Sequence, residues 1–433
     1  MMRAGRMAVA AVVALLAAGA AEAQAPRTER LDNGFTVIVR ENPLAPVVAV
    51  DLLVKTGTRW EQPANAGISN FLHAVMVKGT TKRSGAKIAE EVAAMGGKIS
   101  AAGEIDYSNI RSAALARFWK PLLALTAELA LSPALAPEEV TGERDWLLSR
   151  IQRRRDNAPS RAFDELYAAL YGPHPYAIPT LGTPASLARI DHAALVAHYR
   201  AAYRPERLVL AVSGQVSADE VIAEVRRLFG GMPAGGVATD PRLSAPVPAG
   251  RRIVIEQPAQ QTQIVVGAIA PSLDQPDHAA VKVLSTVLGG GMAGRLFVEL
   301  RDRRGLAYTA TSFYEPMKEP GALILYLGTA PENAAKAEDG LRQEIERVRK
   351  ERVGEDEIRR AKNYLLGRSE MDRRTNERQA WYLGFYTVQG VGLDFPARYR
   401  RTIDAVTAAD VLRAAQTYLA TLTTIVLEPP RTR

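Results

Sequence analysis

A chain of 433 residues without a cysteine excludes disulfides, thiolate metal sites and a cysteine nucleophile. The length admits two ordinary domains, and a hydrophobic content of 47% is enough to fill two cores. The net charge of +8 comes from 55 basic and 47 acidic residues that are interspersed, with no basic patch interleaved with aromatics, which argues against nucleic acid as a partner.

Arg3 and Arg6 precede an apolar run from Met7 to Ala21, and Ala23-Gln24-Ala25 supplies small residues after it. This is the layout of a secretory signal peptide, predicted over 1–25, and the run is too short for a comfortable membrane span. The expectation is an exported, periplasmic protein with no membrane attachment after cleavage. Leu31–Arg40 reads as the first strand of a hairpin, with Asp32-Asn33-Gly34 as a turn ahead of Phe35–Val39, and Val47–Val54 predicts a second, nearly continuous apolar strand. Ile68, Phe71, Leu72, Val75 and Met76 then mark one face of a helix that Gly79 ends. Further helices are predicted around Lys87–Met95, Trp119–Leu131, Pro137–Arg155 and Ile190–Tyr203, with strands near Ile110–Ala116 and over Leu208–Val212.

Residues 230–250 are rich in Gly, Pro and Ala and read as a linker between domains at 26–229 and 251–433. Beyond it the order restarts, with a strand at Gln263–Ile269, a helix at Asp277–Leu288, a strand at Ala322–Leu327 and long helices at Asn333–Arg352 and Asp356–Arg374. Glu139-Val140 with Trp146-Leu147-Leu148 parallels Glu357-Ile358 with Tyr364-Leu365-Leu366 at one constant offset, the mark of a duplication. Strands and helices that do not alternate strictly predict an α+β class: two homologous domains, each with a mainly antiparallel sheet.

The stretch Gly289–Tyr308 opens on glycines suited to a tight turn. A short helix should follow, with Leu296, Phe297 and Leu300 on one face and Arg295 paired to Glu299. Gly305 ends it, and Arg301 and Tyr308 flank the corner, where guanidinium and phenol can point into one cavity. Read alone, these two are a solvated charge and a strand residue with a wet tip. Together with the flanks Gly67 and Lys78-Gly79-Thr80, however, the stretch closely resembles the pitrilysin/insulinase peptidase family over nearly the whole mature chain. The resemblance implies half of a clamshell built of two homologous, metallopeptidase-like domains. It also implies that Arg301 and Tyr308 contact a substrate peptide beside a zinc ion.

The family's H-x-x-E-H motif places two His on one helix face with a general-base Glu between them, and a second Glu completes the ligand set. At the matching positions this chain has Asn70, His73 and Ala74, and Arg150 stands where the remaining Glu would be. An amide is a poor ligand, a methyl is none, and a guanidinium repels the ion. No metal or other cofactor is therefore expected in this chain. Of the other histidines, His174 lies in a turn and reads as solvated, His192 and His198 lack metal-pair spacing, and His278 reads as a surface residue near a helix start. Arg153-Arg154-Arg155 reads as a solvated helix end.

The resemblance thus implies a pseudo-peptidase: a non-catalytic, substrate-binding subunit similar to those of mitochondrial processing peptidase and of bacterial two-chain relatives. Its partner would be a zinc-bearing homologous subunit, and an exposed strand edge near the degenerate helix would pair with the peptide. The alternative is a scaffold or peptide-binding protein with no part in catalysis.

Overall fold

The computed structural model describes residues 25–236, 239–247 and 249–430. Apart from Ala25, the expected signal peptide lies outside the described residues, and so do 237, 238 and 248 of the expected linker. No helix among the described residues is long and apolar enough to cross a membrane.

Two sheets organise the chain. The first contains β1 (Arg27–Arg30), β2 (Thr36–Glu41), β3 (Val47–Val54), β4 (Lys98–Gly103), β5 (Ser108–Leu115) and β6 (Leu208–Gly214), in the order β1-β2-β6-β3-β5-β4. The second contains β7 (Arg251–Glu256), β8 (Thr262–Ile269), β9 (Thr309–Glu315), β10 (Ala322–Thr329) and β11 (Thr423–Glu428), in the order β7-β11-β8-β10-β9. Only β2 with β6 and β7 with β11 run parallel, and the other neighbours are antiparallel. With β1 set aside the two sheets share one strand order, so each half repeats the other. This is the duplicated architecture that the sequence predicts, two domains each with a mainly antiparallel sheet flanked by helices.

Near-continuous apolar strands arise because both sheet faces are covered. In β3, Val48, Val50, Leu52 and Val54 face one core, and Ala49 and Leu53 face another. The helices on the first side of the N-terminal sheet include α1 (Ile68–Met76), α3 (Trp119–Leu131) and α8 (Ala218–Phe229), with α2 (Gly85–Ala94) preceding β4. α4 (Pro137–Asp156) and α7 (His192–Ala202) pack outside α1, with the short α6 (Pro184–Leu187) between them in sequence. The first side of the C-terminal sheet is covered by α9 (His278–Gly289), α10 (Ala334–Lys350), α11 (Glu355–Asp372) and α14 (Ala408–Tyr418), with α13 (Phe395–Ala405) against α9 and α11.

The second faces are covered by exchange. α5 (Ala158–Tyr171), a helix of the N-terminal half, lies on β8 and β11 and packs Ala162, Leu166 and Leu170 against Val265, Ile324, Ile425 and Leu427. α12 (Asn376–Gln389), from the C-terminal half, lies on β3 and β6 and packs Ala380 and Leu383 against Leu53, Val209 and Ala211. The two contacts are complementary in shape. A Cβ on Gly267 of β8 would lie 2.9 Å from a Leu166 methyl, and a Cβ on Gly384 of α12 would lie 2.0 Å from a Leu53 methyl. In one contact the helix supplies the knob, and in the other the strand does.

A buried polar clasp adds to the join. The Asp106 carboxylate accepts from the Tyr176 hydroxyl (2.6 Å), the Lys318 backbone N–H (2.9 Å) and the Gln389 amide (3.2 Å). Arg59 reaches across to Glu319 at 2.5 Å. Each bond crosses between the two halves except the first.

Several local expectations change. β2 pairs with β1 and β6, so it is not a hairpin partner of β3. The helix after the glycines is a π-helix, Phe297–Arg303. Arg295 forks onto Glu357 of α11 at 2.6 and 2.9 Å instead of meeting Glu299, which takes Arg303 at 2.8 Å. A partly buried bidentate carboxylate outcompetes an exposed one-turn contact. His278 is buried against Tyr314, Phe395 and Tyr399, and His174 is buried with its Nδ1 accepting from the Tyr176 N–H, so neither is a surface residue.

The exchanged contact is testable. Leu166→Ala empties a fully buried knob that faces a glycine, and it should destabilise the whole chain by about 2–5 kcal/mol in denaturant titration. A loss under about 1 kcal/mol would show that α5 contributes little to holding the halves together.

Candidate functional site

α1, where the sequence resemblance puts the metal motif, is held at its start by close backbone packing and by hydrogen bonds. Gly67, in the left-handed region at φ 85°, turns the chain into it, and a Cβ there would lie 2.6 Å from the Gly182 nitrogen. The buried Glu61 carboxylate accepts from the backbone N–H groups of Gly67 (2.7 Å) and Ser69 (2.9 Å), placing negative charge at the positive end of the helix. Burial pushes the Glu61 carboxyl up, and those two backbone bonds pull it back.

Beside α1 lies a cavity of 1520 Å³. Its walls come from α1 (Asn70, Ala74), from β4 and the residue after it (Ile99 to Glu104), and from α4. The α4 wall is one stripe, Glu139, Glu143, Trp146 and Arg150, at helical spacing. The approach of β4 is close: a Cβ on Gly103 would lie 2.5 Å from the Asn70 nitrogen, and the Asn70 amide donates to the Gly103 carbonyl at 3.3 Å. β4 ends the sheet and pairs only with β5, so its outer edge has no strand partner among the described residues.

The structure brings Asn70, Ala74 and Arg150 together on the walls of this cavity and turns His73 away from it. The His73 ring is fully buried, with Nδ1 at 2.7 Å from the Ser69 carbonyl and Nε2 at 2.9 Å from the Tyr203 hydroxyl. The carbonyl fixes the proton on Nδ1, so Nε2 accepts from Tyr203. Burial pulls the imidazole down to about 4. His198 Nε2 sits 3.1 Å from the Ser69 hydroxyl, and burial lowers it to about 4 as well.

Arg301 and Tyr308 are also brought together, at a different place. The Arg301 guanidinium stands 5.5 Å from the Tyr308 ring centre and 4.7 Å from that of Phe297. Tyr308 is 72% exposed, Arg301 is exposed too, and neither lines the cavity beside α1. The π-helix and Gly305 (φ 61°) set this corner, and the Tyr308 N–H donating to the Gly328 carbonyl at 2.8 Å anchors it. The glycines before it serve close packing: a Cβ on Gly289 would lie 1.9 Å from the Ser312 nitrogen of β9.

Sequence reasoning missed β4, the loop Pro179–Pro184 and the ion pair between Lys78 and the buried Glu143 (3.1 Å), all of which line the cavity. The stripe through Glu139, Glu143 and Trp146 up to Arg150 was available as a signal, since those residues share one helix face.

Residues 36–184 match the family described as insulinase (peptidase family M16), and residues 189–365 match the one described as peptidase M16 inactive domain. A protein of Mycobacterium tuberculosis named as an uncharacterized zinc protease is 32% identical over 350 residues, 80% of either chain. The chain belongs to the insulinase (M16) family. A Rickettsia bellii protein of the same printed name is 27% identical over 403 residues, covering 92% of this chain and 97% of that one. Two solved structures share the insulinase-family fold. A peptidase M16 inactive domain from Pseudomonas fluorescens has a TM-score of 0.87 at 24% identity, covering 95% of this chain and all of that one. A Helicobacter pylori protease has a TM-score of 0.88 at 22% identity, covering 94% and 100%.

The side chains at the insulinase-family metal position do not fit a zinc ion. An amide, a methyl and a guanidinium face the cavity, and the imidazole beside them is committed to the interior. Among the described residues, no group of three or more His, Cys, Asp or Glu side chains is placed to hold a metal. Purified protein should therefore carry no stoichiometric zinc by elemental analysis. About one tightly held zinc per chain, lost to a chelator, would overturn this reading.

His73 also gives the fold a pH dependence. Its affinity for a proton is lower folded than unfolded, so its contribution is complete above about pH 6.5 and is lost as pH falls towards 4. His73→Gln should remove about 3 kcal/mol of that pH-dependent loss, read from denaturant titrations at pH 7 and pH 4. Equal slopes for the two proteins would show that His73 is not the group responsible. His198 and His278 act in the same sense and are common to both proteins.

Proposed function

We propose that the chain is the non-catalytic, substrate-binding subunit of a heterodimeric zinc endopeptidase acting on peptides, and that it works after export to the periplasm. One observation carries this reading. An arginine and a tyrosine are stacked, exposed and rigidly based, while the metal position of the same chain holds no ligand set. A pair of donors without a reacting centre of its own is suited to completing the site of another subunit. The partner is a homologous chain that keeps the zinc-binding residues and supplies the metal.

In this reading Arg301 and Tyr308 donate to the oxygen of the scissile carbonyl as negative charge develops on it. Donors positioned before the reaction are worth more to the charged oxygen than to the neutral carbonyl. The phenol is a single directed O–H donor, and the guanidinium, 4.7 Å and 5.5 Å from the Phe297 and Tyr308 ring centres, has no hydrogen bond or ion pair to another side chain among the described residues. The free edge of β4 lends its backbone groups to an extended peptide by strand addition.

A second reading, a scaffold or peptide-binding protein with no part in catalysis, is favoured by the same residue set at 70, 74 and 150. Mutagenesis of the reconstituted pair separates the two. Tyr308→Phe keeps the ring and removes the donor, and it should lower kcat/KM about a hundredfold, near 3 kcal/mol. Arg301→Ala should do likewise, and Arg301→Lys should recover little, because a point charge lacks the planar fork. Assembly with the partner and the partner's zinc content should not change. If both single variants stay within about twofold of wild type, the scaffold reading takes over.

A further inference from the structure

The α4 wall of the cavity holds a cation that no anion answers. Of the other cations lining the cavity, Lys78, Arg154 and Arg161 have partners, whereas Arg155, at the end of α4, is exposed and, unlike the half-buried Arg150, has no aromatic face over it among the described residues. Lys78 meets the buried Glu143 at 3.1 Å, and Arg154 forks onto Asp164 at 2.7–3.0 Å. Arg161 donates to Gln257 at 2.8 Å and lies 3.9 Å from Glu165. Arg150 has no hydrogen bond or ion pair to a side chain among the described residues. Its guanidinium lies 4.6 Å from the Trp146 ring centre, and that indole is itself 49% exposed.

The duplicated half shows what such a pair does when it is satisfied. Tyr364 and Arg368 of α11 occupy the positions of Trp146 and Arg150, and there Arg368 donates to the Tyr364 hydroxyl at 3.0 Å. An indole offers no acceptor, only a face. Trp146 covers part of the Arg150 guanidinium, which lines the cavity, and leaves its N–H groups without a side-chain partner. Two parallel N–H donors match the two oxygens of a carboxylate. The acids on the same stripe limit where that carboxylate sits. Glu143 and Glu139 are seven and eleven residues before Arg150, about 10 and 16 Å along the helix axis, so an anion is repelled towards the Arg150 end.

We propose that Arg150 is a carboxylate-binding residue, and that the cavity takes an extended peptide whose acidic side chain or C-terminal carboxylate it holds bidentately beside the free edge of β4. This rests on the peptide-binding part of the proposed function and is independent of Arg301 and Tyr308. The position matched to a metal ligand has reversed its charge preference, from holding a cation to holding an anion.

The test uses the isolated full chain and three fluorescently labelled nonapeptides, read by anisotropy. One has a central Glu and an amidated end, one has Gln in its place, and one is the Gln peptide with a free C-terminal carboxylate. At least one carboxylate peptide should bind about tenfold more tightly than the neutral one, the order expected of a charge-assisted bond. The one that does identifies the source of the carboxylate. Arg150→Gln should bring all three within about twofold of one another, and Arg150→Lys should restore only part of the preference. Arg368→Gln should behave as wild type. The proposal is overturned if the three peptides bind alike or not at all, if Arg150→Gln keeps the preference, or if Arg368→Gln loses it too. Those outcomes leave the effect of Tyr308→Phe on the reconstituted pair untouched, so the two readings fail separately.

Discussion

Everything in this chain depends on the exchange of α5 and α12 between the two sheets. A sheet whose strands are apolar on both faces must have both covered, and neither half supplies enough helices from its own segment in the right place. The knob-and-hole contacts at Leu166 with Gly267 and at Leu53 with Gly384 fix which helix goes where. Had each helix tried to cover its own sheet, Leu166 would have met Leu53 where room exists for only one of them, and two glycines would have faced each other over a void. The duplication is therefore not symmetric in detail. Its two halves have diverged into complementary shapes, and that divergence specifies the fold.

The exchange also sets the ground on which the cavity stands. α4 leads directly into α5, so anchoring α5 on the C-terminal sheet fixes the end of α4 that carries Arg150 and Arg154. Gln257, just after β7, reinforces this by donating to the Arg155 and Asp156 carbonyls at 3.2 and 3.0 Å. On the opposite wall, Glu61 and Gly67 hold the start of α1. Both walls of the cavity are thus fixed by contacts within this chain. Several of the contacts that hold these helices, including Asn70 with Gly103, Lys78 with Glu143 and the Gln257 amide on α4, lie in the cavity wall itself and need no metal ion to form.

Much of the fold was legible in the sequence, for identifiable reasons. Val47–Val54, Leu208–Val212 and Gln263–Ile269 announce themselves because doubly covered strands have no polar alternation to blur them. β4 did not, because Lys-Ile-Ser-Ala-Ala-Gly is short and half-buried, with small residues that suit close approach to α1 better than they signal a strand. The pattern of α5 marks an amphipathic helix, but nothing local says which sheet receives it. His278 reads as a surface residue from its place at a helix start. Only the convergence of Tyr314 from β9 with Phe395 and Tyr399 from α13 buries it. At the site, the resemblance located Asn70, Ala74 and Arg150. It did not foresee that His73, one residue from Ala74, would point inward, because that depends on Tyr203 at the far end of α7.

Covalent connection and mechanical connection are consequently different in this molecule. The segment from 230 to 250 joins the halves along the polypeptide and contains no helix or strand among its described residues. The physical fastening is elsewhere, in two helices each lodged in the other half's core and in the Asp106 clasp between them. A protease that nicked this segment would leave two fragments still interlocked, co-migrating under native conditions and separating only in denaturant. The segment is thus free to vary in length and composition without changing how the halves are held together.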